Sequence, residues 1–255
     1  MNITEHNRDA WDRFVTNKDR WTIPVSEEDI EKAKNGHWNV VLTPAKPVPH
    51  EWSPDLKGLK ILGLASGGGL QGPILAAAGA DITIFDNSEN QLSQDWKLSE
   101  AFNLNVKTIQ GDMKDLSVFE DESFDLIFNP CSVVFADDLK PIWGECFRVL
   151  KPDGILMTGL INPIIYQLGP EESNPLQIIY PQPYSDLNSL PKEELDKQIA
   201  AQEPLEFGHS LTDQIGEQLK AGFIMTDFYE DDWNGEKPID AYLPSFFATR
   251  AIKRG

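Results

Sequence analysis

The 255-residue sequence predicts an α/β fold built on a mostly parallel sheet with helices on both faces. Three observations predict it. Residues 56–161 alternate short apolar runs with helical patterns, the signature of strands linked by crossover helices. The apolar runs stop at glycine, aspartate or asparagine, which suit the loops at strand ends. An apolar share of 40% beside 25% charged residues is enough to bury a core.

The elements follow in order. Residues 1–55, rich in Trp, Pro and charge, read as an N-terminal helical extension or lid, with helices at 5–15 and 26–34. Ser26 caps the second with Asp29 at its third position, and Pro44, Pro47, Pro49 and Pro54 make an extended linker. In the core, 56–161, the first strand, 60–64, enters the loop Ala65-Ser66-Gly67-Gly68-Gly69. A helix carrying Pro73, Leu70, Ile74, Leu75 and Ala78 follows and stops at Gly79. Strand 82–85 closes on Asp86, and Ser88 and Gln91 form a capping box for a helix burying Leu92, Trp96 and Phe102. Strand 106–109 ends at Gly111-Asp112, and strand 124–128 at Asn129-Pro130. Asp137 caps a helix presenting Leu139, Ile142, Trp143, Cys146 and Leu150, and the turn Lys151-Pro152-Asp153-Gly154 leads into strand 155–158. An irregular insertion, 162–210, precedes the last part, 211–255. There Thr212 caps a helix with Ile215 and Leu219 inward and Gly222 as its stop, and two β-rich runs, 223–229 and 245–251, complete seven strands.

Composition narrows the partners. A net charge of -19 argues against nucleic acid and against an anionic membrane surface. Two cysteines, Cys131 and Cys146, with no metal-spaced cluster fit a reducing cytoplasm and no metal. The uncharged run 61–80 is as long as a membrane span, but its six glycines, Ser66, Gln71 and Pro73 make it strand, loop and helix. No apolar signal region opens the chain.

Ligands of parallel sheets bind outside the carboxyl ends of the strands. That rule selects Gly67–Gly69, Asp86, Gly111–Asp112 and 129–132. A glycine loop between strand and helix lets a ligand approach the backbone, and Asp86 can accept from both hydroxyls of a ribose. The segment Gly67-Gly68-Gly69-Leu70-Gln71-Gly72 is also a literal dinucleotide-type G-x-G-x-x-G, so a nicotinamide cofactor stays open here.

The later loops separate these cofactors. Ile61-Leu62-Gly63-Leu64-Ala65-Ser66-Gly67-Gly68-Gly69 resembles the first motif of the class I S-adenosylmethionine (SAM)-dependent methyltransferases, and Phe85-Asp86-Asn87-Ser88 the second. Gln110-Gly111-Asp112-Met113 looks like the third, Ser123-Phe124-Asp125-Leu126-Ile127-Phe128 like the fourth, and 147–156 is similar to the segment before the fifth strand. The resemblance implies a Rossmann-like fold with a closing antiparallel hairpin, SAM as cofactor and S-adenosylhomocysteine as product. It implies Ala65, Ser66, Gly67, Gly68 and Gly69 under the methionine and ribose, Asp86 and Asn87 at the ribose, and Gly111, Asp112 and Met113 at the adenine. It further implies Asn129 near the transferred methyl. Asp112 could instead cap the following turn, and Met113 could be core.

The sequence departs from the family at Gly63, usually acidic, and at Ala65, usually glycine. The N-terminal segment is expected to compensate, with Trp11, Arg20 or Trp21 closing over the cofactor. An activated sulfonium methyl needs a positioned nucleophile more than an acid or base. Of His37, His50 and His209, the last is the candidate base, since it lies in the insertion where the family builds its acceptor pocket; Tyr166, Tyr180 and Tyr184 could line it. Asn129-Pro130-Cys131-Ser132 only half matches the amino-methylating DNA enzymes, and Cys131 has no adjoining His or cation to activate it. The expected acceptor is a small molecule and the expected assembly a monomer or homodimer. The competing readings are an NAD(P)-dependent oxidoreductase, without an evident Tyr-x-x-x-Lys pair, and a non-catalytic binder of SAM or its product.

Overall fold

The computed structural model describes residues 1–170 and 175–255; residues 171–174 of the predicted insertion lie outside the described residues. Five strands, β1 (Lys60–Leu64), β2 (Asp81–Asp86), β3 (Val106–Gln110), β4 (Phe124–Asn129) and β5 (Leu150–Ile161), run parallel. A two-residue pair, β6 (Tyr184–Ser185) and β7 (Phe207–Gly208), stands apart. β8 (Phe223–Asp231) and β9 (Phe246–Lys253) extend the main sheet, β9 running antiparallel to both neighbours. The sheet order is β3-β2-β1-β4-β5-β9-β8, so the chain reverses its direction of travel between β1 and β4. That is the crevice where open α/β sheets take ligands.

Strand periodicity divides the core in two. Ile61, Ile82, Ile84 and Phe128 face one layer, Leu62, Leu64, Phe85 and Leu156 the other. Helices α2 (Glu27–Lys34), α3 (Gln71–Ala77) and α4 (Glu89–Phe102) cover the first layer; α5 (Lys140–Val149) supplies Ile142, Trp143 and Cys146 to the second. Trp143 is fully buried, and its indole N–H donates to the Asp213 carbonyl at 2.9 Å. Ser26 caps α2 as expected, accepting from the Asp29 amide. The uncharged run 61–80 divides between β1, loop and α3, and no described helix is long and apolar enough to cross a membrane.

Several local expectations are corrected. Ser88 caps α4, but its own amide donates to Asp86 Oδ1 at 3.0 Å, so Gln91 does not close the box. Trp96 is 53% exposed; Asp95 and Ser99 take the buried positions. Asp137 does not cap α5: Asp138 accepts from the Lys140 amide at 3.0 Å, while Asp137 pairs with Lys114 at 2.8 Å. The turn 151–154 is absorbed into β5 as a bulge, opposite Asp125 between the Phe124–Leu150 and Leu126–Ile155 pairs. The last helix opens as a π-helical turn, Thr212–Gly216, before α8 (Glu217–Ala221); Ser210 and Asp213 bond each other there in place of a Thr212 cap. Leu219 is 50% exposed, whereas Gly222, at φ 113°, ends the helix as expected.

The proline segment does more than link. Val48 and Trp52 are buried in the first layer, and the Ala45 and Lys46 amides donate to Asp231 Oδ2 of β8 at 3.0 and 2.9 Å. Helix α1 (Ile3–Asn17) lies across the strand ends. Asp12 accepts from the Ser88 hydroxyl and the Asn90 amide, fixing α1 to the start of α4. Asn7 donates to the carbonyls of Phe135 and Leu205 and accepts from the Leu205 amide at 2.7 Å, tying α1 to the insertion. The insertion adds two helices, α6 (Asp186–Ser189) and α7 (Lys192–Ala200), around β6 and β7.

Candidate active site

The loops after β1, β2, β3 and β4 meet at a cavity of about 930 Å³, which α1 and the insertion also line. Ala65, Ser66 and Gly67 line it from the first loop. The Gly67 amide donates to Asp86 Oδ2 at 2.9 Å, and a Cβ there would stand 2.8 Å from Gln91 Cβ and 3.1 Å from Asp86 Cγ. Only glycine leaves that approach open. Ala65 carries φ 46°, the left-handed conformation in which glycine is unstrained.

Gly68 and Gly69 turn away from the cavity. Both amides donate to Asp95 Oδ2, at 2.9 and 3.0 Å, from φ of 107° and 71°. Asp95 is fully buried on α4, and burial pushes its carboxyl up to about 7 against the two amides that hold it down. The missing acid on β1 is explained by space: a Cβ on Gly63 would lie 2.5 Å from Ser66 Oγ and 2.6 Å from Ile84 Cδ1. A carboxylate reaches the loop from α4 instead.

Asp86 ends β2 with both oxygens used once, by the amides of Gly67 and Ser88. Each carboxylate oxygen keeps a lone pair for a further donor. Burial raises its carboxyl, and the Ser88, Gly67 and Asn87 amides oppose the rise. Asn87 lines the cavity and donates to the Thr4 carbonyl at 2.7 Å. Gly111, Asp112 and Met113 follow β3 along the same wall. A Cβ on Gly111 would fall 2.1 Å from the Phe85 ring. Asp112 does cap its turn, accepting from the Lys114 amide at 2.9 Å, and also accepts from the Thr4 hydroxyl at 2.9 Å while facing the cavity. Met113 borders the cavity and packs on the second core layer.

Other expected residues fall elsewhere. Asn129 is fully buried, donating to the Leu64 carbonyl and the Ser132 hydroxyl, both at 2.8 Å. It braces β1 against the loop after β4 and does not line the cavity; Pro130, Cys131 and Ser132 do. His209 is also outside the cavity wall, its Nε2 2.8 Å from the Ala136 carbonyl, and burial lowers its pKa. His37 and His50 are exposed and away from the cavity, His50 stacking on Trp38 at 4.3 Å. Burial and Asp231 raise the Cys131 thiol, which disfavours a nucleophilic thiolate. Tyr180 meets Tyr184 edge to face but stops short of the cavity, which Tyr166 and Tyr184 line.

The mouth is aromatic and cationic. Trp11, Arg20 and Trp21 line the cavity; the Arg20 guanidinium lies 4.4 Å from the Trp21 ring and 5.2 Å from that of Trp233. Among the described residues no group of three or more His, Cys, Asp or Glu is arranged to hold a metal ion.

The family described as Methyltransferase domain matches residues 62–158. The methyltransferase YbaJ of Bacillus subtilis (strain 168) is 48% identical over 253 residues, covering 98% of each chain. This chain belongs to the class I SAM-dependent methyltransferases. The methyltransferase fold is shared with a SAM-dependent methyltransferase from Mesorhizobium loti, 17% identical with a TM-score of 0.57 over 79% of this chain and 94% of that one. A sterol 24-C-methyltransferase of Gibberella zeae is 35% identical over 101 residues, 38% of this chain and 26% of its own length. The methyltransferase therefore carries the sheet order, the glycine loop and the SAM-dependent chemistry of its family.

Sequence reasoning passed over Asp95, Asp12, Gln91 and Glu206. Gln91, expected only as half of a capping box, lines the cavity, and its Oε1 is buried without a hydrogen-bond partner among the described residues. Asp12 and Asp95 are ordinary helix-surface residues by composition, and only packing turns them inward. Glu206 meets Tyr166 across 40 residues of insertion, a pairing no local pattern marks.

Proposed function

We propose that the methyltransferase transfers its methyl group to a small-molecule acceptor held beside SAM in this one cavity. The residues present fit SAM. Gly67 leaves a cradle that a Cβ would fill, Asp86 has lone pairs for two ribose hydroxyls, and Asp112 and Met113 border the position of an adenine. Ala65 and Ser66 border the methionine portion, with Asn87 and Gly111 beside the ribose and adenine. The bound cofactor supplies an activated sulfonium methyl; the protein orients both partners and excludes water.

The N-terminal segment, 1–55, acts as the lid. Arg20 makes no hydrogen bond or ion pair among the described residues, so its stacked guanidinium is available to the cofactor's carboxylate, with Trp21 and Trp11 over the site. The core 56–161 binds SAM, the insertion 162–210 holds the acceptor, and 211–255 completes the sheet. The Gly68 and Gly69 amides and the Asn129 side chain shape the loops from behind.

The observation that carries this reading is the shared lining. Residues of the glycine loop and residues of the insertion, Tyr166, Tyr184 and Glu206, line one continuous space. A volume of about 930 Å³ lies at the upper end of small-molecule sites. The net charge of -19 gives no support to a nucleic-acid acceptor.

The test is to supply methyl-labelled SAM together with separated cell fractions. Label recovered in a new small-molecule product, chromatographically separated from SAM itself, supports the proposal. Label confined to protein or nucleic acid would overturn it.

A further inference from the structure

The acceptor end of the cavity has a built chemistry. The Tyr166 hydroxyl donates to Glu206 Oε2 at 2.8 Å, and the Tyr184 hydroxyl donates to Asp186 Oδ1 at 2.7 Å. The two rings stack, with centroids 5.3 Å apart. Asp186 Oδ2 also accepts from Gln198 Nε2 and from the Glu206 amide, both at 2.8 Å. All four residues of these pairs line the cavity, with Trp11 and Phe135 contributing further aromatic surface.

Charge is not balanced there. Neither Glu206 nor Asp186 has a Lys, Arg or His partner among the described residues, although the nearby Glu203 is paired with Arg13 at 2.8 Å. Buried carboxylates gathered side by side are costly unless a cation joins them. Aromatic faces around them favour an organic cation over a hydrated metal ion.

Resting on the assignment of this cavity to SAM and its acceptor, we propose that the acceptor is an amine that enters as an ammonium ion and surrenders a proton to Glu206. Glu206 is the suitable member of the set. Asp186 has both carboxylate oxygens engaged by three donors, whereas the Glu206 carboxylate accepts from Tyr166 alone among the described residues. Burial pushes the Glu206 carboxyl up to about 7, with Tyr166 opposing and Asp186 adding to the rise. The titratable groups facing it are Tyr166 from the turn after β5, Tyr184 from β6 and Asp186 from α6. A base near neutrality suits an ammonium proton and is poorly matched to an aliphatic alcohol.

The step balances. The ammonium nitrogen loses one proton to the Glu206 carboxylate and recovers its lone pair. That pair forms the N–CH3 bond as the CH3–S bond breaks onto sulfur, leaving a neutral thioether and a methylammonium product. The proton then leaves Glu206 to solvent.

The experiment uses the full chain saturated with S-adenosylhomocysteine, which prevents turnover. Benzylamine and its neutral isostere benzyl alcohol are titrated by calorimetry or ligand-observed NMR at about pH 8. The amine is expected to bind at least about tenfold tighter, the size of one charge-assisted contact. Glu206→Gln, which keeps an acceptor for Tyr166, is expected to remove most of that preference while S-adenosylhomocysteine affinity holds. In wild type, benzylamine affinity is expected to rise as pH increases through about 7, an outcome that needs no variant.

Equal affinities for the two probes, a preference that survives in Glu206→Gln, or a flat pH series would overturn the proposal. So would a variant that weakens SAM but not S-adenosylhomocysteine, since Glu206 would then serve the sulfonium. Failure of S-adenosylhomocysteine itself to bind would instead overturn the assignment of the cavity.

Discussion

Asp95, on α4, accepts the Gly68 amide at 2.9 Å, and it does so from the helix behind the glycine loop because the strand in front has no room for an acid. Loop shape therefore depends on a fully buried carboxylate with one oxygen, Oδ1, unpartnered.

Asp95→Asn keeps an acceptor for the amides and removes the ionisable proton. The folded carboxyl is raised from 3.8 to about 7, so ionisation is disfavoured by folding. Wild-type stability from this group is full below about pH 4 and is lost as pH rises toward 7. The variant should be more stable than wild type by about 1–3 kcal/mol at pH 8, less so at pH 5, and nearly equal only at about pH 4. Denaturant unfolding across this pH range checks this.

Asn7 satisfies two carbonyls and one amide where α1 meets the insertion. Asn7→Ala strands all three groups, at a cost of about 2–3 kcal/mol. Thermal unfolding should begin roughly 5–10 °C lower. SAM affinity should fall with it if α1 is the lid over the cavity.

Gly159 on β5 passes directly under the Leu42 carbonyl, and a Cβ there would sit 1.9 Å from that oxygen. The same carbonyl accepts from the Cys131 amide at 3.0 Å. Gly159→Ala must displace Leu42 and Thr43 from the cavity wall, destabilising by at least about 1–3 kcal/mol and weakening SAM binding. Gly144→Ala, with nothing near its Cβ, is the control, expected to stabilise α5 by up to about 1 kcal/mol.

Ala65 occupies a left-handed position at φ 46°. Ala65→Gly should relieve about 1 kcal/mol of backbone strain and leave SAM affinity within about twofold. A loss of stability, read by unfolding, would contradict the strain argument.

The strands were legible because buried parallel strands are continuous apolar runs that end at loop residues; β1 to β4 fall within a residue of expectation, while β5 begins five residues early because the turn 151–154 joins it. The cavity-facing Asp86, Gly111 and Asp112 were legible because strand ends fix where side chains emerge. What could not be read depends on contacts distant in sequence. Trp96 fits a buried helical face, yet Asp95 is inside because two loop amides face it. Asn129 ends a strand at the mouth but turns back to Leu64. His209 lies in the insertion, as read, but the fold presents it to a carbonyl, and Glu206 faces the cavity in its place.

The most direct measurement is calorimetric titration of the purified protein with SAM, S-adenosylhomocysteine and NADH, beside Asp86→Ala. Micromolar binding of SAM and its product, weakened at least about tenfold in the variant with no response to NADH, is the expected result. Binding of NADH alone, or SAM affinity untouched by Asp86→Ala, would contradict the account.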